Sequence, residues 1–316
     1  MYRFGMKLLW VVLALAACKQ REKAADPPPP TQAPIPPPPP MRDIDEIGDP
    51  NAPDPNAADW SQSKTCAVQD AELVYVVDTD HRLLSFDPKK LPGNDPFHLV
   101  GTLKCTTTST PNSMAIDRKG IAWVGYQNGK VYRASIIDAR CDKKGWKPSG
   151  KATRVFGMGY VTKGPRTEEE LLFVAGGVDD PDFQLAVIDT ERKAWTEITA
   201  LSIHGHPELT GTSEGRLFAY YPTPGRGFVQ ELDRQKGTTL GPVWKIPGSA
   251  GIVEAYAFAH YGGVFYVFTT ADGVSGVHAV HMNTGKVELV RNNLPYTIVG
   301  AGVSTCAPLL EQPPTP

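Results

Sequence analysis

The chain has 316 residues, of which 41% are hydrophobic, and its formal net charge is -2. This length and apolar share are sufficient for a domain with a sizeable core. The 32 basic residues are scattered along the chain, so the sequence lacks the basic patch of a nucleic-acid-binding protein, and no nucleic acid partner is expected.

Residues 1–18 have the layout of an export signal. A positive start with Arg3 and Lys7 precedes the apolar run from Leu8 to Leu13, which is too short to cross a bilayer. The next residues, Leu15-Ala16-Ala17-Cys18, resemble a bacterial lipobox. The resemblance implies that Cys18 becomes the first residue after cleavage and carries a lipid, which makes a membrane one expected partner. The alternative is an ordinary cleaved signal peptide with an incidental cysteine.

The residue after the lipobox cysteine bears on location. In lipoproteins of this kind, an Asp directly after the cysteine favours retention in the inner membrane, whereas Lys19 follows Cys18 here. The expected location is therefore the cell envelope, at the outer membrane.

Residues 19–60 are expected to form a disordered, proline-rich and acidic linker. Residues 27–40 contain ten prolines in fourteen positions, a composition that favours a stiff polyproline II spacer. Residues 41–59 are acidic and turn-rich, with too few apolar side chains to form a core. The last six residues, 311–316, are expected to be a disordered tail.

The segment between these ends, residues 61–310, contains a repeat. Short apolar runs carry an aromatic residue at the same place, and the steps between these aromatics are 48, 50, 45 and 48 residues: Tyr75, Trp123, Phe173, Phe218 and Tyr266. A turn and a second alternating run follow each one, and helical periodicity is nearly absent. A repeat of this length holding about four strands predicts the blade of a β-propeller.

A run of small residues precedes four of the aromatic runs, as expected for innermost strands that crowd around an axis. The first repeat lacks such a run, whereas the C-terminal stretch from Thr297 to Thr305 is one without an aromatic run behind it. Joining the two ends predicts an all-β, five-bladed β-propeller that is closed by the C-terminal strand.

Cysteines bear on the same closure. Besides Cys18 there are Cys66, Cys105, Cys141 and Cys306, and four cysteines allow three disulfide connectivities in an exported domain. If the C-terminal run pairs beside the Tyr75 run, Cys306 leaves one strand where Cys66 enters the other. This favours the Cys66–Cys306 bond and leaves Cys105 to pair with Cys141. Free structural thiols are the alternative.

The repeats themselves resemble uncharacterised bacterial lipoproteins with a secreted β-propeller domain. The runs that carry the resemblance are VDTDHRLLSFDP (77–88), SMAIDRKGIAWVGY (113–126), ELTGTSEGRLFAYYP (208–222), AFAHYGGVFYVFT (257–269) and IVGAGVSTCAP (298–308). The resemblance implies fold and location, and it brings no activity with it.

The densest group of polar side chains is His204-Gly205-His206-Pro207-Glu208, directly before a predicted innermost strand. Because innermost strands begin around the mouth of the central channel, we expect His204, His206 and Glu208 to lie there with Glu254, Asn112 and Ser113. Of these, all but Ser113 are the candidate ligand-binding residues. A metal bound by the two histidines is an alternative, but no third ligand stands at a diagnostic spacing. No catalytic set is recognised, and neither a metal nor a cofactor is expected.

Function therefore stays open between classes. The leading hypothesis is a lipid-anchored binding or scaffolding module for a protein, peptidoglycan or glycan partner. The alternatives are a hydrolase or lyase that acts on carbohydrates or small molecules at the channel mouth, where Glu208 and Glu254 are the candidate carboxylates, and a structural part of an envelope machine.

Overall fold

The computed structural model describes residue 66 and residues 71–149, 155–165, 167–177, 183–248 and 253–310. The predicted signal peptide with Cys18, the linker of residues 19–60 and the tail of residues 311–316 lie outside the described residues. Within the described ranges the regular structure is strand, apart from a short 3-10 helix at Pro88–Lys90.

The strands form five antiparallel sheets, which are the five blades of a β-propeller. Blade 1 contains β1 (Val74–Asp78), β2 (Arg82–Phe86) and β3 (Phe97–Thr102), and blade 2 contains β4 (Pro111–Ile116), β5 (Ile121–Tyr126) and β6 (Val131–Ser135). Blade 3 contains β7 (Phe156–Thr162), β8 (Glu170–Gly176), β9 (Gln184–Asp189) and β10 (Ala194–Ala200). Blade 4 contains β11 (Glu208–Gly211), β12 (Leu217–Thr223), β13 (Arg226–Leu232) and β14 (Thr239–Pro247). Blade 5 contains β15 (Val253–Tyr261), β16 (Val264–Ala271), β17 (Val274–His281) and β18 (Val287–Asn292). The last strand along the chain is β19 (Ile298–Val303).

The C-terminal strand closes the ring, as predicted. Strand β19 pairs antiparallel with β1, with Val303 opposite Val74 and Gly300 opposite Val77, so that the sheet order of blade 1 is β19-β1-β2-β3. The innermost strands contact one another around the axis in the order β19, β4, β7, β11 and β15, and β15 contacts β19. Each predicted aromatic run is the second strand of its blade.

Both predicted disulfides are present. Cys66 is bonded to Cys306, which ties the segment before β1 to the segment after β19, and Cys105 is bonded to Cys141, which ties blade 1 to blade 2. Their sequence separations are 240 and 36 residues. The first bond therefore fastens the same ends that the β19–β1 pairing joins.

The hydrophobic core consists of five clusters, and each cluster lies between two neighbouring blades. Between blades 5 and 1, for example, the rings of Phe86 and Phe268 are 5.3 Å apart. This arrangement follows from strands that are buried on both faces, because every sheet packs against a neighbour on either side.

Glycines let the innermost strands approach closely. A Cβ atom built on Gly157 of β7 would lie 2.1 Å from the carbonyl oxygen of Pro207, and one on Gly300 of β19 would lie 2.9 Å from the backbone of Ser113. Larger residues are excluded at these contacts, which explains the runs of small residues in the sequence.

Blade 2 departs from the expected four strands. Among the described residues its sheet has three strands, and the residues that follow β6, up to Ser149, form isolated bridges instead of a fourth strand: Cys141 with Ala134, Trp146 with Val131 and Ser149 with Ala194 of blade 3. These residues include Lys143, Lys144, Gly145, Lys147 and Pro148 and have no alternating apolar pattern, which disfavours a strand there.

Candidate functional site at the channel mouth

The five innermost strands all begin at the same end of the ring, and we call this end the mouth. It is defined by the first residues of these strands: Ile298, Pro111, Phe156, Glu208 and Val253. The alternation of antiparallel strands brings the turns between second and third strands to the same end. The candidate residues predicted from sequence are all on or next to these starting points.

Glu208 is the buried member of the predicted group. It begins β11, and the residue is 5% exposed. The hydroxyl of Ser113 on β4 donates to its Oε2 atom over 2.6 Å, and the amide N–H of Met158 on β7 donates to Ser113 Oγ over 3.0 Å. The carboxyl group is thus joined to two other blades.

The surroundings of Glu208 favour its neutral form. Burial raises the pKa of Glu208 well above its usual range, and this outweighs the hydrogen bonds from Ser113 and from the Met158 amide, which lower it. The pKa shift is in the direction that favours the protonated, uncharged carboxyl group.

Asn112 lies beside this group. Its side-chain amide donates to the carbonyl oxygen of Phe156, the first residue of β7, over 3.4 Å. The bond links blade 2 to blade 3 at the mouth. Asn112 and Ser113 of β4 thus both contact β7, the first strand of the next blade. Ser113 also contacts Glu208 of β11.

His204 and His206 are exposed in the loop before β11. The imidazole ring of His206 packs edge-to-face on Phe183, with ring centroids 4.8 Å apart. The hydroxyl of Tyr256, on β15 of the next blade, donates to the backbone carbonyl of His206. This loop is thus fixed from blade 3 and from blade 5, with imidazole rings on the outside.

Glu254 lies on the exposed surface of β15, two residues before Tyr256. Glu254 shares the mouth with Glu208, but the Glu208 carboxyl group is buried whereas that of Glu254 faces solvent. In the described part of the chain, no group of three or more His, Cys, Asp or Glu side chains is close enough to hold a metal ion.

Sequence reasoning missed a second polar group, at the opposite end of the ring. The amide N–H of Arg118 donates to Glu170 Oε1 over 2.8 Å, and the hydroxyl of Thr305 donates to Glu170 Oε2 over 3.0 Å. Arg118, which is 4% exposed, donates through Nη1 to Thr305 Oγ1 over 3.0 Å. These residues come from the β4–β5 turn, the start of β8 and the segment after β19, so they join blades 2, 3 and 1.

Glu170 titrates unusually in this position. Burial raises the pKa of Glu170 to about 7, aided by the nearby charge of Asp117 and opposed by hydrogen bonds from Arg118 and Thr305. The signal in the sequence was weak, since the three residues are far apart along the chain and none belongs to a motif.

Fold and covalent structure together define the class: a closed, disulfide-bonded five-bladed β-propeller. Disulfides are typical of domains that fold outside the reducing cytosol, so the chain belongs to the secreted or envelope proteins. Among the residues that the structure describes, none forms a helix with the length and apolar character needed to span a membrane.

No protein-family model and no curated protein matches the chain. Among solved structures, it is similar to TolB from Acinetobacter baumannii, with 11% identity and a TM-score of 0.41, over 69% of this chain and 52% of that chain. It is also similar to the extracellular domain of the one-component system BT4673 from B. thetaiotaomicron, with 11% identity and a TM-score of 0.38, over 71% of this chain and 27% of that chain. The chain thus spans about half of the first structure and about a quarter of the second. These similarities concern the fold alone.

Proposed function

We propose that this protein is a lipid-anchored binding or scaffolding module of the bacterial cell envelope, which presents the mouth of its propeller to a protein, peptidoglycan or glycan partner. The observation that carries the proposal is the make-up of the mouth. Exposed His204, His206 and Glu254 lie at the same end of the ring as a carboxyl group, Glu208, that is buried and hydrogen-bonded. Such a surface offers donors and acceptors to a partner on a rigid support.

Contacts from two neighbouring blades hold the histidine-containing loop of the mouth in place. The loop with both histidines is held by Phe183 on one side and by Tyr256 on the other. Side chains that are already fixed lose little conformational freedom when a partner binds, and this favours affinity.

The lipid anchor in this proposal depends on the lipobox-like run that ends at Cys18. Several acyl chains make a stable anchor, because each buried methylene group contributes about 0.8 kcal/mol. Metabolic labelling with palmitate tests it: the natural chain should take up label and sediment with membranes, whereas Cys18→Ser should do neither. Equal labelling of the two chains would refute the anchor.

The binding role is tested with the full-length chain in detergent, cross-linked in envelope extracts and captured with its partners. The triple variant His204→Ala, His206→Ala and Glu254→Gln should lose the partner recovered with the natural chain. We call His204, His206, Glu208, Glu254 and Asn112 the mouth group. His98→Ala is the matched control, since His98 is an exposed histidine on the outer strand β3 and lies outside this group. Capture that is unchanged in the triple variant would refute a binding role for the mouth.

A second candidate function is that of a hydrolase or a lyase acting on a carbohydrate or small molecule, and one observation favours it. A buried carboxyl group whose pKa is raised is suited to act as a general acid. Most glycosidases, however, place two carboxyl groups on either side of the scissile bond. The double variant Glu208→Gln and Glu254→Gln distinguishes the two functions. Loss of glycan turnover in this variant, with an intact fold, supports an enzyme. Partner capture by a natural chain that shows no glycan turnover supports the binding module.

A further inference from the structure

The surface also contains a cleft away from the mouth group, at the contact between the last blade and the first. It has a volume of about 400 Å³ and is open to solvent. One wall is the loop between β2 and β3 with the first residue of β3, and the other is the end of β18 with its connection to β19. We call it the seam cleft, because its walls come from the two blades that meet where the ring is closed.

The floor of the seam cleft is aromatic. The rings of Phe97 and Tyr296 are tilted by 50° to each other with centroids 5.7 Å apart, and the guanidinium of Arg82 lies 5.0 Å from the centre of the Tyr296 ring. Pro295 adds an exposed apolar surface beside Tyr296. Aromatic rings of this kind provide flat apolar area together with a polar edge.

The rim of the seam cleft is polar and is already shaped. Arg291 donates through Nη2 to the carbonyl oxygen of Asn94 on the opposite wall and through Nη1 to the carbonyl oxygen of Val290. A guanidinium has five N–H donors, so these bonds leave about three for other acceptors. One oxygen of Asp95 accepts the amide N–H of Phe97, and its carboxylate has further lone pairs available.

We propose that the seam cleft binds a sugar unit, through stacking on the Phe97 and Tyr296 floor and hydrogen bonds with Asn94, Asp95 and Arg291, of which the Asp95 carboxylate accepts and the Arg291 guanidinium donates. Neighbouring hydroxyl groups of a pyranose ring match the planar, two-pronged side chains of Asn, Asp and Arg, while its C–H faces match an aromatic floor. The volume lies in the lower part of the range for small-ligand sites, roughly 300–1,000 Å³.

Other ligand classes fit the seam cleft less well. An extended peptide that adds to a sheet needs a length of unpaired strand edge, whereas this cleft takes one residue from each outer strand, Phe97 of β3 and Arg291 of β18, and the rest of its lining from loops. A phosphate group favours an excess of positive charge, and here the charge of Arg291 is offset by that of Asp95. A neutral, hydroxyl-rich ligand suits this balance. The inference rests on the proposed binding function, but on a part of the surface that shares no residue with the mouth group.

The test is direct binding of free sugars to the full-length chain. Maltose, cellobiose and N,N′-diacetylchitobiose at millimolar concentration serve as probes, followed by saturation-transfer NMR and calorimetry. At least one probe should bind saturably, and Asn94→Ala and Arg291→Lys should each weaken it about tenfold or more, which corresponds to about 1.4 kcal/mol. Circular dichroism and urea unfolding of each variant separate lost contacts from lost folding.

His206→Ala is the control that separates this inference from the proposed function. It should weaken partner capture at the mouth and leave sugar affinity unchanged. Failure of every probe to bind, or binding that neither seam variant weakens, would overturn the inference and leave the mouth proposal standing. Sugar binding that is lost in His206→Ala instead would place the ligand at the mouth and equally overturn it.

Discussion

The Oε2 atom of Glu208 lies 2.6 Å from the hydroxyl oxygen of Ser113, although the residues are 95 positions apart and belong to blades 4 and 2. Blade 3 lies between them in the ring and takes part through the Met158 amide. A single buried serine therefore joins three innermost strands near the axis.

Ser113→Ala should destabilise the fold by about 1–3 kcal/mol, because it removes from a buried place the hydroxyl that donates to the Glu208 carboxyl and accepts from the Met158 N–H. Urea unfolding measures the change. Ser202→Ala, at an exposed serine, is the control and should stay within about 0.5 kcal/mol of the natural chain. Equal effects of the two substitutions would contradict the role given to Ser113.

Gly157→Ala should cost about 1–3 kcal/mol, since the new methyl group would meet the Pro207 carbonyl of the neighbouring blade and the backbones would have to separate. Gly93→Ala is the matched control, because no atom lies within 4 Å of a Cβ at that position. Thermal unfolding of both variants checks the difference. If Gly157→Ala unfolds at the temperature of the natural chain, the close approach of β7 to blade 4 is wrong.

Removal of the Cys66–Cys306 bond should destabilise the chain more than removal of Cys105–Cys141. In the chain-entropy model, loops of 240 and 36 residues differ by about 1.7 kcal/mol in the stabilisation that closing them provides. Paired Cys→Ala variants of each bond, compared by urea unfolding, measure this difference. The reverse order would show that the ends of the ring are held mainly by strand pairing.

Stability should depend on pH through Glu170. Its pKa is about 7 in the folded chain and 4.5 in the reference state, so the folded chain binds the proton more tightly. The corresponding stabilisation is complete below about pH 4.5 and is lost as the pH rises to about 7. Glu170→Gln should flatten the pH dependence of the unfolding free energy in this window by up to about 1.4 kcal/mol per pH unit.

Glu197→Gln provides the comparison for Glu170, since Glu197 is exposed on β10. Its pH profile should follow that of the natural chain. A natural chain whose stability does not fall between pH 4.5 and pH 7 relative to Glu170→Gln would contradict the proton-binding role of Glu170.

Much of the fold follows from local pattern. The aromatic at the centre of each second strand, such as Tyr75 or Phe218, repeats because each blade buries both faces, and that requirement is visible in the sequence. The ring closure followed from a mismatch: the first repeat lacked an inner strand and the C-terminus had one to spare. The three-stranded blade 2 was also visible in principle, in the Lys-rich stretch around Gly145, but the regular spacing of the aromatics hid it.

The site was predicted less completely, for physical reasons. Sequence position placed Glu208 at the mouth, but its burial depends on how β11 sits against Gly157 of another blade. The Glu170 group depends on contacts between residues 52 and 135 positions apart, which no local pattern encodes. The seam cleft depends on two loops that meet only after the ring has closed.

The Cys66–Cys306 bond also decides how the domain responds to mechanical force. Tension applied through the chain ahead of Cys66 passes across the sulfur atoms to Cys306 and is divided between both ends of the ring. Strand β1 is then not peeled from β19 starting at its N-terminal end, because Cys66 is held to the segment that follows β19. A reducing environment would convert the same pull into an unzipping motion.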